Sequence, residues 1–146
     1  MDAAFLFRGF LAGLVATFLM LLAEIPALRR FGRRGVFEWH EIHASLSRVR
    51  RPRDFGDEFV FPLHLMIGST SGLSFAIALS LVRLDVPLAV SGLALGVGMW
   101  LVTLAVHGKV TGVHPWRNDM GYVPVAASLA GHVLYGAALG LLLSWP

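Results

Sequence analysis

The segment His64-Leu-Met-Ile-Gly68-Ser-Thr-Ser-Gly72-Leu-Ser-Phe-Ala76-Ile-Ala-Leu-Ser80 is largely apolar and contains no Asp, Glu, Lys or Arg. Small residues recur at every fourth position, at Gly68, Gly72 and Ala76. Because positions four apart share one face of an α-helix, this segment predicts a helix with a smooth face that begins at a histidine. Its length and apolar character predict that it lies in lipid.

The whole chain shares this apolar character. It has 146 residues, of which 56% are hydrophobic and 14% are charged, whereas about a quarter of the residues of a soluble domain are charged. We predict one all-α domain over residues 1–146, an integral membrane four-helix bundle with a short amphipathic cytoplasmic helix. The spans are expected at about 5–28, 59–82, 86–106 and 122–145, with the interfacial helix at about 36–49.

Basic residues are concentrated between the spans. Eight arginines lie between positions 29 and 58, and the first and third loops together hold ten of the twelve Lys and Arg residues. This distribution predicts that both termini are non-cytoplasmic and that the arginine-rich segment contacts anionic lipid headgroups, with no nucleic-acid partner. An acidic partner protein is an alternative for the same arginines. The chain has no cysteine, which excludes disulfides and thiolate metal sites.

Small residues also recur in the other spans. Helices in lipid associate through close contact, which small residues permit. We therefore predict a helix-packing role for Gly68, Gly72, Ala76, Gly92, Gly96, Gly136 and Gly140. Room for a flat ligand, such as a porphyrin or a carotenoid, is the alternative. Because every span carries such a stripe, packing between protomers is expected as well.

Two histidines, His64 and His132, lie on these stripes within predicted spans. Ionisable residues inside a membrane are costly and often functional. One hypothesis is that the two imidazoles ligate a b-type haem, with Gly68 and Gly136 making space for the ring. The alternative is a pair of neutral histidines that form hydrogen bonds with neighbouring helices.

Two further ionisable residues, Glu24 and His107, lie toward the cytoplasmic ends of spans one and three. With His64 they are candidates for a polar cluster in the inner half of the bundle, which would suit a proton or ion relay. The alternative for Glu24 is a pair with a nearby arginine, or a side chain that extends to the interface.

The segment Glu38-Trp-His-Glu-Ile-His43 contains carboxylate and imidazole groups close together. With His114 of the other cytoplasmic loop, the side chains of His40, Glu41 and His43 are candidate ligands for zinc or iron. The alternative is the solvated polar face of a surface helix, on which Glu38 and Glu41 lie together.

The second half of the chain resembles the YagU-like family of small, uncharacterised four-span bacterial inner-membrane proteins. The matching features are the span with His64, the glycine-rich third span with Trp100, the loop that contains Gly and Pro, and Gly131-His132 followed by Tyr135. They cover residues 60–143, roughly. The resemblance implies a multi-pass protein of the bacterial inner membrane and assigns no reaction.

Two functions follow as expectations. The first is a non-enzymatic membrane protein that acts as a homo-oligomer or as an accessory subunit of a larger membrane complex. The alternative is a haem- or metal-binding electron or proton carrier that uses the intramembrane histidines. No phosphate-binding loop, nucleophile elbow or dinucleotide motif is present in the sequence.

Overall fold

The computed structural model describes residues 2–49, 56–82 and 85–145, and only the backbone of residue 57. The described residues form five α-helices and no strand. Four of these helices are long and apolar enough to cross a membrane. The helices are α1 (Ala3–Phe31), α2 (Phe37–Val49), α3 (Asp57–Leu81), α4 (Leu88–Thr111) and α5 (Val123–Ser144), and a 3-10 turn at Gly32–Gly35 joins α1 to α2.

The helix ends follow from glycine positions. α1 continues through Pro26 and ends before Gly32, which has a φ of 61°. α4 ends before Gly112, with a φ of 75°. Glycine adopts this left-handed region without steric cost and is therefore the usual residue after a helix C-terminus. Both helices extend a few residues beyond the predicted spans, because the polar residues that follow each apolar run are helical too.

The four long helices form a four-helix bundle, as predicted, in the spatial order α3, α1, α5, α4. α1 packs along α3 on one side and along α5 on the other, and α5 packs along α4. α3 and α4 scarcely touch in the described part of the chain. The two outer helices therefore border an opening that faces the lipid.

Glycines hold α1 against α3 at backbone distance. A Cβ atom added to Gly72 would lie 2.7 Å from the Cα atom of Gly13, and one added to Gly13 would lie 3.1 Å from the Cα atom of Gly72. Such distances are shorter than real Cβ contacts, so no side chain fits between the helices. Gly9 lies in the same seam, against Gly72 and Ala76.

A second glycine seam joins α4 to α5. A Cβ atom at Gly92 would lie 2.8 Å from the Cα atom of Gly140, and one at Gly96 would lie 3.1 Å from the Cα atom of Gly136. All the small residues that were predicted to pack helices lie in one of these two seams. The seams are within one chain, so the small-residue stripes do not call for a second protomer.

α2 lies across one end of the bundle, where α4 and α5 are connected. The Phe37 side chain is buried, and its ring stacks on His107 of α4 with ring centroids 3.9 Å apart. The Arg48 guanidinium donates hydrogen bonds to the carbonyls of Lys109 and Val110, at 3.2 and 2.6 Å. These contacts satisfy carbonyls at the C-terminus of α4, which lack helical partners.

The opposite end of the bundle holds both ends of the chain. The Arg8 guanidinium of α1 donates hydrogen bonds to the backbone carbonyls of Leu143 and Trp145, which end α5. α2 and the two chain ends therefore lie at opposite ends of the bundle. Which of them faces the cytoplasm stays a prediction from the arginine distribution.

Candidate functional site

A cavity of about 560 Å³ lies between α3 and α4, with α1 and α5 behind it and α2 across its end. Most of its wall is apolar and includes Ile67, Leu95, Met99 and Val102. Its carboxyl and imidazole groups come from α2, α3 and α5, and they are Glu38, Glu41, His64 and His132. The hydroxyl residues Thr17, Thr103 and Tyr135 line it as well. This combination of apolar walls and a few polar groups is typical of small-molecule binding sites.

Glu38 of α2 is the carboxyl group at the centre of the polar end. Its Oε1 accepts a hydrogen bond of 2.8 Å from the Ser128 hydroxyl and lies 3.5 Å from Nδ1 of His132. Its Oε2 is buried and has no hydrogen-bond partner. A buried carboxylate oxygen without a donor is unfavourable, so this atom is free to accept a hydrogen bond or to face a cation.

Glu24 of α1 is a second buried carboxyl group, and it faces Glu38 within hydrogen-bonding reach. Its side chain is 1% exposed, and neither of its oxygens has a donor. Gly131 of α5 provides the space, because a Cβ atom there would lie 2.8 Å from Oε1 of Glu24. Two facing carboxylates repel each other, so the arrangement is unfavourable unless a neighbouring group compensates it.

A third carboxyl group, Glu41, is paired. Its Oε1 lies 2.9 Å from Nδ1 of His107, which is itself buried under the Phe37 ring. The His40 ring packs edge-on against His107 with ring centroids 5.4 Å apart. The pair attaches α2 to α4 and places the Glu41 carboxyl at the cavity wall.

His64 of α3 brings an unpaired imidazole nitrogen to the cavity. The residue is 5% exposed, and its Nε2 has no hydrogen-bond partner. Glu38 and His132 are close enough to act on it electrostatically. One helical turn away, the Tyr135 hydroxyl donates a 2.7 Å hydrogen bond to the carbonyl of Gly68, which joins α5 to α3 behind the cavity.

The structure brings together several residues that the sequence analysis named. Both His64 and His132 line the cavity. Glu24 and His107 each contact a carboxyl group of α2, so they belong to the same buried polar region. Glu24 neither pairs with an arginine among its recorded contacts nor extends to the interface, because it is buried against Gly131.

The two glycines proposed to make space for a porphyrin contact other helices instead. A Cβ atom at Gly68 would lie 2.9 Å from Cβ of Thr17, and one at Gly136 would lie 3.0 Å from the Cα atom of Gly96. A Cβ atom at either glycine would therefore meet α1 or α4, although Gly68 also lines the cavity. The ligation of haem by His64 and His132 stays an untested prediction.

The predicted metal ligands of α2 do not converge. Among the described residues, no group of three or more His, Asp or Glu side chains is arranged to hold a metal ion. Glu41 pairs with His107, and Nδ1 of His114 accepts a hydrogen bond from the backbone N–H of Trp116 in its own loop. His40 packs beside His107, and His43 lies one turn further along α2.

The carboxyl groups of α2 face the inside of the bundle, which was not predicted from the sequence. The sequence analysis placed Glu38 and Glu41 on the solvated face of a surface helix, whereas both carboxyl groups line the cavity. The spacing of the two glutamates did indicate a shared face. The signal for the direction of that face was the apolar pair Val36 and Trp39, which packs against Val60 of α3 and thereby turns the carboxyl groups inward.

No protein-family model, no curated protein and no solved structure matches this chain, so its resemblance to the YagU-like family stays a prediction.

Proposed function

We propose that the protein is a non-enzymatic membrane protein that binds a small lipophilic molecule in the cavity between α3 and α4. The observation that carries the proposal is the cavity itself, whose volume of about 560 Å³ lies within the range of small-molecule sites. The gap between the outer helices gives a lipophilic molecule a route from the bilayer. The polar group of the molecule would lie under α2, and its apolar body would lie along α4.

Filling the cavity tests the proposal. Gly98 of α4 lines the cavity, and a Cβ atom at this position meets no atom within 4 Å. Gly98→Leu therefore adds an apolar side chain to the cavity without a backbone clash. The control is Ala105→Leu, which adds nearly the same apolar surface at an exposed position of the same helix, outside the cavity lining.

The measurement is photolabelling of the purified protein in lipid nanodiscs with a diazirine derivative of hexadecanol. We expect peptides of α3 and α4 that line the cavity to carry the label, and we expect Gly98→Leu but not Ala105→Leu to lose it. Labelling that is uniform over the lipid-facing surface and equal in the two variants would contradict the proposal. Native mass spectrometry of the purified wild type identifies any lipophilic molecule that co-purifies with it.

The roles expected from sequence alone, a homo-oligomer or an accessory subunit, stay proposals. The same native mass measurement reports the number of protomers and any second protein. An absorption spectrum of that sample tests the haem hypothesis through the Soret band.

A further inference from the structure

We propose that the cavity binds a lipophilic organic cation whose charge lies against the Glu38 carboxyl. The inference rests on the proposed function and adds the chemical class of the ligand. The groups that carry it are the Glu38 carboxyl, whose Oε2 is buried without a hydrogen-bond partner, and the unpartnered Nε2 of His64. Both residues line the cavity, whereas Glu24, the second buried carboxyl, lies outside its lining.

The carboxyl groups determine the charge of the ligand. Carboxylates accept hydrogen bonds and donate none, and Oε2 of Glu38 together with both oxygens of Glu24 lacks a donor. A positive charge near Glu38 compensates these atoms in a low-dielectric site, where an uncompensated charge is expensive. An anionic or purely acceptor headgroup would add repulsion at the same place.

The neighbouring groups do not remove this requirement. Glu41 is engaged with His107, and the Ser128 hydroxyl and His132 both lie on the Oε1 side of Glu38. His64 Nε2 remains unpartnered beside the cavity. The titratable groups that act on one another around Glu38 are Glu24, Glu41, His64, His107 and His132. Of the adjoining arginines, Arg34 pairs with Asp119 and Arg33 has an interaction of its own.

The test uses tetraphenylphosphonium, a permanent cation, and triphenylmethanol, a neutral compound of similar shape that donates a hydrogen bond. Both are added in radiolabelled form to the protein in nanodiscs, with empty nanodiscs as the background. We expect saturable binding of the cation that Gly98→Leu abolishes. We expect Glu38→Gln to weaken cation binding by roughly ten-fold or more, because it removes the charge with little change of shape.

The matched control is Glu58→Gln, the same substitution at an exposed position near the start of α3. It should bind the cation as the wild type does. Equal binding of the cation by Glu38→Gln and Glu58→Gln would overturn the inference. Saturable binding of triphenylmethanol without binding of the cation would overturn it too, while the proposed function would stand. Binding of neither probe, together with failure of the photolabelling above, would overturn both.

Discussion

At the scale of single residues, the buried polar region depends on glycines as well as on polar side chains. Gly131 leaves room for the Glu24 carboxyl, and the carbonyl of Gly68 accepts a hydrogen bond from Tyr135. Glu24 is unusual among buried acidic residues, because the group that faces it is a second carboxyl and not a base. Such an arrangement is costly for folding and is therefore a marker of function in a membrane protein.

The Tyr135 hydroxyl provides a prediction about stability. Tyr135→Phe removes its hydrogen bond to the Gly68 carbonyl and leaves the buried ring in place. We expect the free energy of unfolding to fall by about 0.5–1.5 kcal/mol, the usual contribution of one such bond. The measurement is unfolding of the detergent-solubilised protein by sodium dodecyl sulfate.

The control for this variant is Tyr122→Phe, because Tyr122 is 75% exposed and its hydroxyl bonds to none of the described residues. It should unfold as the wild type does. A loss of stability as large as that of Tyr135→Phe would show that the effect does not depend on the hydrogen bond to Gly68.

Gly131 provides a second prediction at this scale. In Gly131→Ala the added methyl group meets the end of the Glu24 side chain and Met20 Cγ, at 2.8 and 3.0 Å, and no backbone atom among its nearest neighbours. We therefore expect the Glu24 carboxyl to move aside with little loss in the free energy of unfolding. A loss as large as that expected for Gly72→Ala, measured by unfolding in sodium dodecyl sulfate, would contradict this prediction.

At the scale of helices, each glycine seam depends on backbone contact. Gly72→Ala places a methyl group 2.7 Å from the Cα atom of Gly13, where only a movement of a whole helix makes room. We expect a loss of about 1–3 kcal/mol in the free energy of unfolding, as for other overpacked sites. Gly98→Ala is the matched control, since its methyl group meets nothing within 4 Å. Equal stability of the two variants would contradict the packing of α1 against α3.

The position of α2 gives another prediction at the same scale. Phe37 is 0% exposed and stacks on His107, so Phe37→Ala removes the main apolar contact between α2 and α4. We expect faster hydrogen exchange of the backbone amides of α2, with little change in α1 and α5. Phe7→Ala, at a side chain that is 62% exposed, should leave α2 protected. Faster exchange throughout the bundle would indicate that α2 is not a separable element.

These helices show what the sequence can predict. Length and apolar character located all four long helices, because a segment that crosses lipid needs about 20 apolar residues. The glycine spacing likewise indicated a smooth face on each. The orientation of α2 could not be predicted from the sequence, because its moderate polarity suits both a membrane surface and the polar end of a bundle. Val60 and His107, which α2 and the residue before it contact, lie far away in sequence. These contacts decide between the two positions of the helix.

At the scale of the whole molecule, the chain ends and α2 lie at opposite ends of the bundle. The arginine distribution predicts that the end with α2 faces the cytoplasm. The chain has no cysteine, so single cysteines report sidedness cleanly. With Ala4→Cys or Asp119→Cys in intact spheroplasts, we expect a membrane-impermeant maleimide to label position 4 at once and position 119 only after the membrane is opened. Labelling of position 119 in intact spheroplasts, with position 4 labelled only after opening, would show that the predicted topology is wrong.

The two glycine seams have a consequence for how the molecule is assembled. One seam lies wholly between α1 and α3, and the other lies wholly between α4 and α5. In each half of the chain, one glycine seam holds a pair of long helices together. The two halves meet mainly where α1 packs along α5. A chain that is cut between α3 and α4 would keep both glycine seams intact. We therefore expect two separately expressed halves to associate in the bilayer and to form the same cavity between α3 and α4, as two unlike subunits would.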